Sequence, residues 1–150
     1  MKKYLKYIGI VLAVFLIVAQ FFPIDKTNPP ADMTKDFIEI TNPPAQIAEH
    51  IKIACYDCHS HHTKYPWYTS VAPVSWWIKG HMKNGREHLN FSTWGDYTQK
   101  KKGHKLDECI DLVEKNWMPL LTYKMAHSES KLTDEERGNL IAFFKTLKGK

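Results

Sequence analysis

The side chains of this sequence that could do chemistry are concentrated in one short segment. Residues 53–68 read IACYDCHSHHTKYPWY and contain two of the three cysteines and three of the eight histidines. A pair of thiols at this spacing can form a disulfide, bind a metal ion as thiolates or be alkylated by a cofactor. The residues beside the pair and the compartment in which the chain works decide among these chemistries.

The cysteine pair is followed directly by a histidine, so Cys55, Cys58 and His59 form the pattern Cys-x-x-Cys-His. This pattern is typical of covalent haem attachment. Residues three apart share one face of a helix, so both sulfur atoms can reach one edge of a porphyrin while the next residue brings its imidazole to the iron. The motif therefore predicts one covalent haem c, bound through Cys55 and Cys58, with His59 as the proximal iron ligand.

Other uses of the cysteines remain open at the level of sequence. A thioredoxin-like Cys-x-x-Cys would follow a strand in a βαβ unit, and no strand pattern precedes Cys55. A zinc site could combine the two cysteines with His61 and His62, although structural zinc sites usually draw on two separated ligand pairs. A disulfide between Cys55 and Cys58 is sterically poor inside a helix. The third cysteine, Cys109, lies in an amphipathic segment and is interpreted as a small buried hydrophobe.

A haem iron bound by one histidine has a second axial position, and two residues are candidates for it. Met118 lies in the segment NWMPLL, where Pro119 stiffens the backbone directly after it. Methionine opposite histidine gives an electron-transfer haem and raises its potential. His127 lies in the same irregular segment and is the rival distal ligand, which would give a lower potential. Met118 is the preferred choice.

Other polar side chains have simpler interpretations. Arg86 and the indole of Trp76 or Trp77 could bind haem propionates, but helix surface and core account for these residues as well. The remaining histidines are interpreted as surface or structural residues, namely His50, His61, His62, His81, His88 and His104.

The N-terminal segment predicts export. Residues 7–24, YIGIVLAVFLIVAQFFPI, carry no charge, and Lys2, Lys3 and Lys6 precede them. Residues 1–24 are therefore predicted to be a transmembrane anchor or a signal peptide. Because positive flanks stay in the cytoplasm, the expected location is the bacterial cytoplasmic membrane, crossed once, with the domain on the periplasmic side. Secretion to the periplasm after signal cleavage is the alternative.

The charge pattern excludes one class of partner. The net charge of +5 includes the three lysines of the N-terminal segment. No stripe of lysine and arginine runs among the aromatic residues of the remaining chain, so nucleic acid is not a predicted partner.

Helical periodicity dominates the exported part. Residues 25–42 form a proline-rich tether, and residues 43–148 form the haem-binding domain. One short helix is predicted to be capped by Thr41 or Asn42 and to run into Cys55. Further helices are predicted to cover 74–88 and 104–116, and the last helix to follow the capping box of Thr133 and Glu136. No stretch alternates with period two. The predicted fold is all-α, a small cytochrome c-like helical domain wrapped around one haem, with an N-terminal transmembrane helix.

Several blocks of the sequence resemble a known family. CYDCHS, YPWY, APVSWW, GREHLNFSTW, MPLLTYKMAH and LTDEERGNL, between about Pro43 and Leu147, are similar to the bacterial haem-binding domain family with a c-type cytochrome motif. The resemblance implies a small haem c domain, often tethered to the membrane in the periplasm. It also implies attachment through Cys55, Cys58 and His59, with Met118 in a Met-Pro loop on the distal side.

Together these patterns predict a membrane-anchored, monohaem c-type cytochrome that carries single electrons to or from a partner protein. No acid–base pair or activated nucleophile is visible, so the chain is not predicted to be an enzyme. If the distal position is open, the alternative is a haem-based sensor of small molecules or a peroxidase-like module. A zinc or thiolate domain without haem is the other alternative.

Overall fold

The structure, a computed structural model, describes residues 2–148, without the side chain of Lys2; Met1, the first residue of the predicted anchor, lies outside the described residues. Between residues 2 and 148 the chain contains helices and no strand, which confirms the all-α prediction. The α-helices are α1 Lys2–Ala19, α2 Phe37–Thr41, α3 Ala45–Ile51, α4 Asp57–His59, α5 Val74–His88, α6 Gln99–Glu114, α7 Leu121–Ala126 and α8 Asp134–Lys148.

Two helices agree closely with their sequence signals. α5 covers Val74–His88, as predicted. At the start of α8 the predicted capping box is confirmed, because the Glu136 carboxylate accepts from the Thr133 backbone N–H at 2.7 Å and the Thr133 hydroxyl accepts from the Glu136 N–H at 3.2 Å. These two bonds satisfy amide groups that have no partner within the first turn of a helix.

Two other helices differ from prediction. α6 begins at Gln99 instead of residue 104, because the Thr98 hydroxyl accepts from the Lys101 N–H and caps the helix there. α7 was not predicted, since its six residues are too few to show a helical period. In both cases the structure has helix where the sequence looked like a loop.

The helical segment before the cysteines starts later than its predicted cap. Pro44 occupies the N-cap position of α3, and Asn42 instead ends α2 with a left-handed φ of 43°. A short asparagine tolerates this conformation better than most residues do. From α3 the chain continues through a π-helical turn, Lys52–Tyr56, into α4, so residues 45–59 form one helical run.

The hydrophobic core includes a residue from the segment predicted to be a tether. Phe37 is fully buried and packs against Phe91 in a tilted arrangement and against Trp94 edge to face, with ring centroids 4.9 Å apart in both pairs. Phe144 of α8 packs against the same ring at 6.2 Å. Residues 25–42 therefore contain the helix α2 and contribute to the core, because a fully buried phenylalanine stabilises the domain that covers it.

The uncharged part of the helix expected to cross a membrane is shorter than the uncharged segment that predicted it. α1 begins at Lys2 and ends at Ala19, so its uncharged part runs only from Tyr7 to Ala19. A hydrocarbon core of about 30 Å needs about 20 apolar helical residues. Among residues 2–148, no helix is both long and apolar enough to cross a membrane. The predicted transmembrane helix within residues 1–24 is therefore not supported.

The C-terminal end of α1 is joined to the start of α5. Gln20 makes two hydrogen bonds to the backbone of Ala72, donating to its carbonyl at 2.9 Å and accepting from its N–H at 3.1 Å. The indole N–H of Trp76 donates to the Phe22 carbonyl at 2.8 Å. These three bonds fix the direction in which the chain leaves α1.

Candidate functional site

A cavity of about 560 Å³ opens among the segment that carries the cysteines, α5, α6 and the loop before α7. Its wall is mostly apolar, with side chains from Leu89, Phe91, Leu112, Val113 and Phe144. Pockets of about 300–1,000 Å³ with apolar walls and a few placed polar groups are the usual sites of cofactors. The cavity is therefore the first candidate for the functional site.

The π-helical turn brings Cys55 to this cavity, and α4, which follows it directly, brings Cys58. Cys55 and Cys58 are unpaired thiols, each partly buried, and both line the wall. Desolvation raises the pKa of Cys58 to about 11 and raises the pKa of Cys55 further. Both groups are thus neutral thiols at neutral pH, which suits a hydrophobic wall better than two thiolates would.

His59 also lines the cavity, and its ring is oriented by two backbone carbonyls. Its Nδ1 lies 3.0 Å from the carbonyl oxygens of both Gly85 and Leu89, so Nδ1 carries the proton and donates it there. Nε2 is left with its lone pair available to a metal. Burial lowers the pKa of His59, which keeps the imidazole neutral.

The acceptors for His59 belong to the C-terminal end of α5, a part of the chain that the sequence did not connect with the motif. The Gly85 carbonyl also accepts from the Leu89 N–H at 2.9 Å, so it bonds His59 with its second lone pair, and the Leu89 carbonyl lies just past the last residue of the helix. The end of α5 can come this close because Gly85 has no side chain: a Cβ built there would lie 2.7 Å from the Cys58 carbonyl oxygen.

The loop between α6 and α7 brings Met118 to the same cavity. After α6 the chain turns at Asn116, which has a φ of 56°. The backbone N–H groups of Trp117 and Met118 then both donate to the Leu112 carbonyl, at 2.9 and 3.1 Å. Met118 and Pro119 line the cavity. The backbone of the preferred distal residue is thus fixed on the end of α6.

His127, the rival candidate, has both ring nitrogens engaged outside the cavity. Its Nε2 accepts from the Tyr68 hydroxyl at 2.5 Å, and its Nδ1 lies 3.1 Å from Glu129 Oε1. The ring stacks on Tyr123, with centroids 4.3 Å apart. His127 is not among the residues of the cavity wall, so the structure does not bring it together with the motif.

The cavity wall includes charged side chains of α6 that sequence reasoning missed. Lys105 and Glu108 form an ion pair at 2.6 Å, and Asp111 also lines the wall, as do His81 and His88 of α5. Among the described residues that line the cavity, Lys105 is the one lysine and there is no arginine. Lys105 is therefore the group best suited to bind a carboxylate of a ligand.

The residues considered for propionates in the sequence have other partners. Arg86 donates to the Ser60 carbonyl and the Thr63 hydroxyl, each at 2.7 Å. The Trp76 indole bonds the Phe22 carbonyl, and Trp77 lines a neighbouring pocket instead of this cavity. Arg86 and Trp76 thus join neighbouring segments of the chain, and Trp77 lies outside the cavity wall.

The histidines proposed for a zinc site point to other partners as well. His61 Nδ1 bonds the Pro30 carbonyl at 3.0 Å, and its Nε2 lies 2.8 Å from the Asn90 amide. His62 is exposed. Within residues 2–148, no group of three or more histidine, cysteine, aspartate or glutamate side chains is placed to hold a metal ion.

A third thiol reaches the cavity. Cys109 of α6 is partly buried, as predicted for a small hydrophobe, but it also lines the wall beside Glu108. Burial raises its pKa to about 12. The helical period of α6 predicted its burial, and nothing in the sequence indicated which space it would face.

The donors at this site suit a haem. An imidazole with a free Nε2 and a thioether sulfur are both axial ligands of haem iron, and two thiols at Cys-x-x-Cys spacing accompany them. The wall is mostly apolar, and its acidic and lysine side chains, Lys105, Glu108 and Asp111, all belong to α6. His59, Met118, Cys55 and Cys58 are the residues that would hold the group.

Comparison with known proteins gives one result. A model of the family described as "Haem-binding domain" matches residues 14–146. Searches of curated proteins and of solved structures give no match. Because the family match covers nearly the whole chain, including all four donor residues, the chain belongs to the haem-binding domain family.

Proposed function

We propose that this haem-binding protein is a monohaem c-type cytochrome that carries single electrons, and that it is not an enzyme in its own right. The observation that supports the proposal is the convergence of Cys55, Cys58, His59 and Met118 on one apolar cavity. The motif residues are adjacent in sequence, but Met118 comes from a loop more than fifty residues later. Met118 also packs against the hydrophobic core, and it lines the same cavity as the motif residues.

Each residue has a distinct part in this proposal. Cys55 and Cys58 attach the haem covalently, which prevents its loss from an exported chain. His59 binds the iron through Nε2, while its Nδ1–H bonds to Gly85 and Leu89 keep the ring from rotating. Phe91 and Phe144 exclude water from the cavity. Bound haem supplies reversible one-electron chemistry, and a partner protein would supply or remove the electron.

Replacing Met118 by alanine tests the distal ligand. We expect the six-coordinate, low-spin spectrum of the reduced protein to be lost and carbon monoxide to bind rapidly, because no sulfur then occupies the sixth position. The reduction potential should fall, since methionine ligation raises it. Absorption spectra, carbon monoxide binding kinetics and a redox titration measure these effects.

His127→Phe is the matched control, because it removes both nitrogens of the rival ligand but keeps an aromatic ring against Tyr123, and His127 lies outside the cavity wall. It should retain the low-spin spectrum. If the spectrum survives in Met118→Ala and is lost in His127→Phe, the assignment of the distal ligand is wrong. Rapid carbon monoxide binding by the unmodified protein would instead favour the sensor or peroxidase-like alternative.

We also propose that the domain works on the periplasmic side of the cytoplasmic membrane and that α1 directs it there. Lysines precede the apolar segment of α1, as in export signals and anchors, and the side chains of residues 3–18 are exposed.

We expect haem-loaded protein in the membrane fraction, sensitive to protease added to spheroplasts. A chain without residues 1–24 should stay in the cytoplasm without covalent haem. Haem-loaded full-length protein in the cytoplasm would contradict the proposal.

A further inference from the structure

The helix that follows Met118 is bonded to the residue between the two motif cysteines. The Tyr123 hydroxyl in α7 donates to Asp57 Oδ2 at 2.9 Å and lies 3.2 Å from the Ile53 carbonyl oxygen. Asp57 stands between Cys55 and Cys58, and Ile53 belongs to the π-helical turn before them. The ring of Tyr123 lines the cavity. One side chain therefore links the loop of Met118 to the haem-attachment segment.

The carboxylate that receives this bond is itself held in place. Asp57 Oδ1 accepts from the Lys64 N–H at 2.9 Å, and the Asp57 carbonyl accepts from the Thr63 hydroxyl at 2.6 Å. Both oxygens of the side chain are thus engaged, one by the loop after His59 and one by Tyr123. A carboxylate fixed at both oxygens is a rigid anchor for a phenol, and a hydrogen bond to a charged acceptor is stronger than a neutral one.

The other face of the Tyr123 ring is covered by His127. The two rings stack at 4.3 Å with an interplanar angle of 19°, and Tyr68 and Glu129 bond the two nitrogens of His127. A neutral imidazole satisfies both contacts, accepting from Tyr68 at Nε2 and donating to Glu129 from Nδ1. His127, the rival candidate for the distal ligand, thus helps to hold α7 in place.

α7 depends on such contacts for its position. A helix of six residues, Leu121–Ala126, has too few hydrogen bonds to be stable alone in water. Only Leu120 separates Pro119 from the first residue of α7, so a displacement of α7 would move the loop that carries Met118. Tyr123 and its partners are the contacts that join α7 to the segment of residues 53–59.

We propose that Tyr123 is a positioning residue that holds Met118 at the haem cavity through its hydrogen bond to Asp57. The inference rests on the proposed function, because it gives Met118 a ligand to meet. When the hydroxyl is removed, α7 and the loop of residues 116–120 separate from the attachment segment more often, and the Met118 sulfur leaves the iron more often. Covalent attachment of haem is unaffected, since Tyr123 bonds no thiol.

The test is Tyr123→Phe in the haem-loaded, full-length protein, because this change keeps the ring and removes only the hydroxyl. The loss of a hydrogen bond to a charged group shifts an opening equilibrium by about tenfold or more. We expect amide hydrogen exchange in residues 116–126 to be faster by about that factor, and carbon monoxide to bind the reduced protein faster by about the same factor. Unchanged exchange in residues 116–126 overturns the inference.

A double-mutant cycle tests whether Tyr123 acts through Asp57. The variants are Tyr123→Phe, Asp57→Ala and the two together, with hydrogen exchange in residues 116–126 as the readout. If the two groups act as one contact, the double variant exchanges no faster than the faster single variant. Effects that multiply, as for independent sites, overturn the coupling with Asp57.

Tyr97→Phe is the matched control. Its hydroxyl also makes one hydrogen bond, accepting from the Asn90 N–H at 3.0 Å, but it lies outside the cavity wall and away from α7. Exchange in residues 116–126 should match the unmodified protein. The Met118→Ala spectrum separates the two proposals: if Met118 is not the ligand but Tyr123→Phe still speeds exchange, positioning stands and the ligand assignment falls.

Discussion

A chain in which Cys55 and Cys58 are both replaced by alanine is expected to run through a denaturing gel without haem. The unmodified protein, produced with a cytochrome c maturation system, should keep its haem under the same conditions. The physical reason is that denaturation breaks the iron–imidazole bond and disperses the apolar wall, so only covalent bonds to sulfur can hold the haem. Haem peroxidase staining and the mass of the intact polypeptide measure the difference.

Single replacements and the third thiol make this experiment specific. Cys55→Ala and Cys58→Ala should each reduce the stain, because one sulfur remains to form one bond. Cys109→Ala should keep covalent haem, although Cys109 lines the same cavity, because it lies outside the attachment motif. Haem retained by the double variant, or lost from Cys109→Ala alone, would contradict attachment through Cys55 and Cys58. A colourless unmodified protein would reject covalent attachment altogether.

The parts of the fold that sequence predicted well are those determined by local interactions. α5 was predicted from Val74 to His88, and the capping box of Thr133 and Glu136 began α8, because periodicity and capping act within a few residues. Met118 was predicted to be the distal ligand from its chemistry. It lines the same cavity as the motif, and its role as a ligand stays a prediction.

The parts that sequence missed depend on contacts between distant segments. The carbonyls of Gly85 and Leu89 bond a ring twenty-six and thirty residues away, and no pattern within α5 announces which end of it will meet the motif. Phe37 looked like part of a tether because prolines surround it, yet its ring fills the core. α7 is too short for periodicity, and its position depends on Tyr123. Nothing in the sequence distinguishes Gly80, where a Cβ meets no atom within 4 Å, from Gly85, where it would lie against Cys58.

Gly85 is expected to be the position of α5 that is most sensitive to substitution. Gly85→Ala places a Cβ 2.7 Å from the Cys58 carbonyl oxygen, a backbone atom that cannot rotate away. α5 must shift from the attachment segment, which also moves the Gly85 carbonyl that orients His59. Overpacking of this kind costs about 1–3 kcal/mol of unfolding free energy. Guanidinium unfolding of the haem-loaded protein measures the loss, and a changed low-spin spectrum reports the displaced imidazole.

Gly80→Ala is the matched control in the same helix, because a Cβ built at Gly80 meets no atom within 4 Å. Both changes gain the same helix propensity, so Gly80→Ala should stabilise the protein by about 0.5–1 kcal/mol and leave the spectrum unchanged. The difference between the variants therefore isolates the contact with Cys58 from the preference of the backbone. A rigid contact between α5 and the motif cannot absorb an added methyl group without cost. If Gly85→Ala is as stable as Gly80→Ala and its spectrum is unaltered, the carbonyls of Gly85 and Leu89 do not hold His59 in the way that the structure indicates.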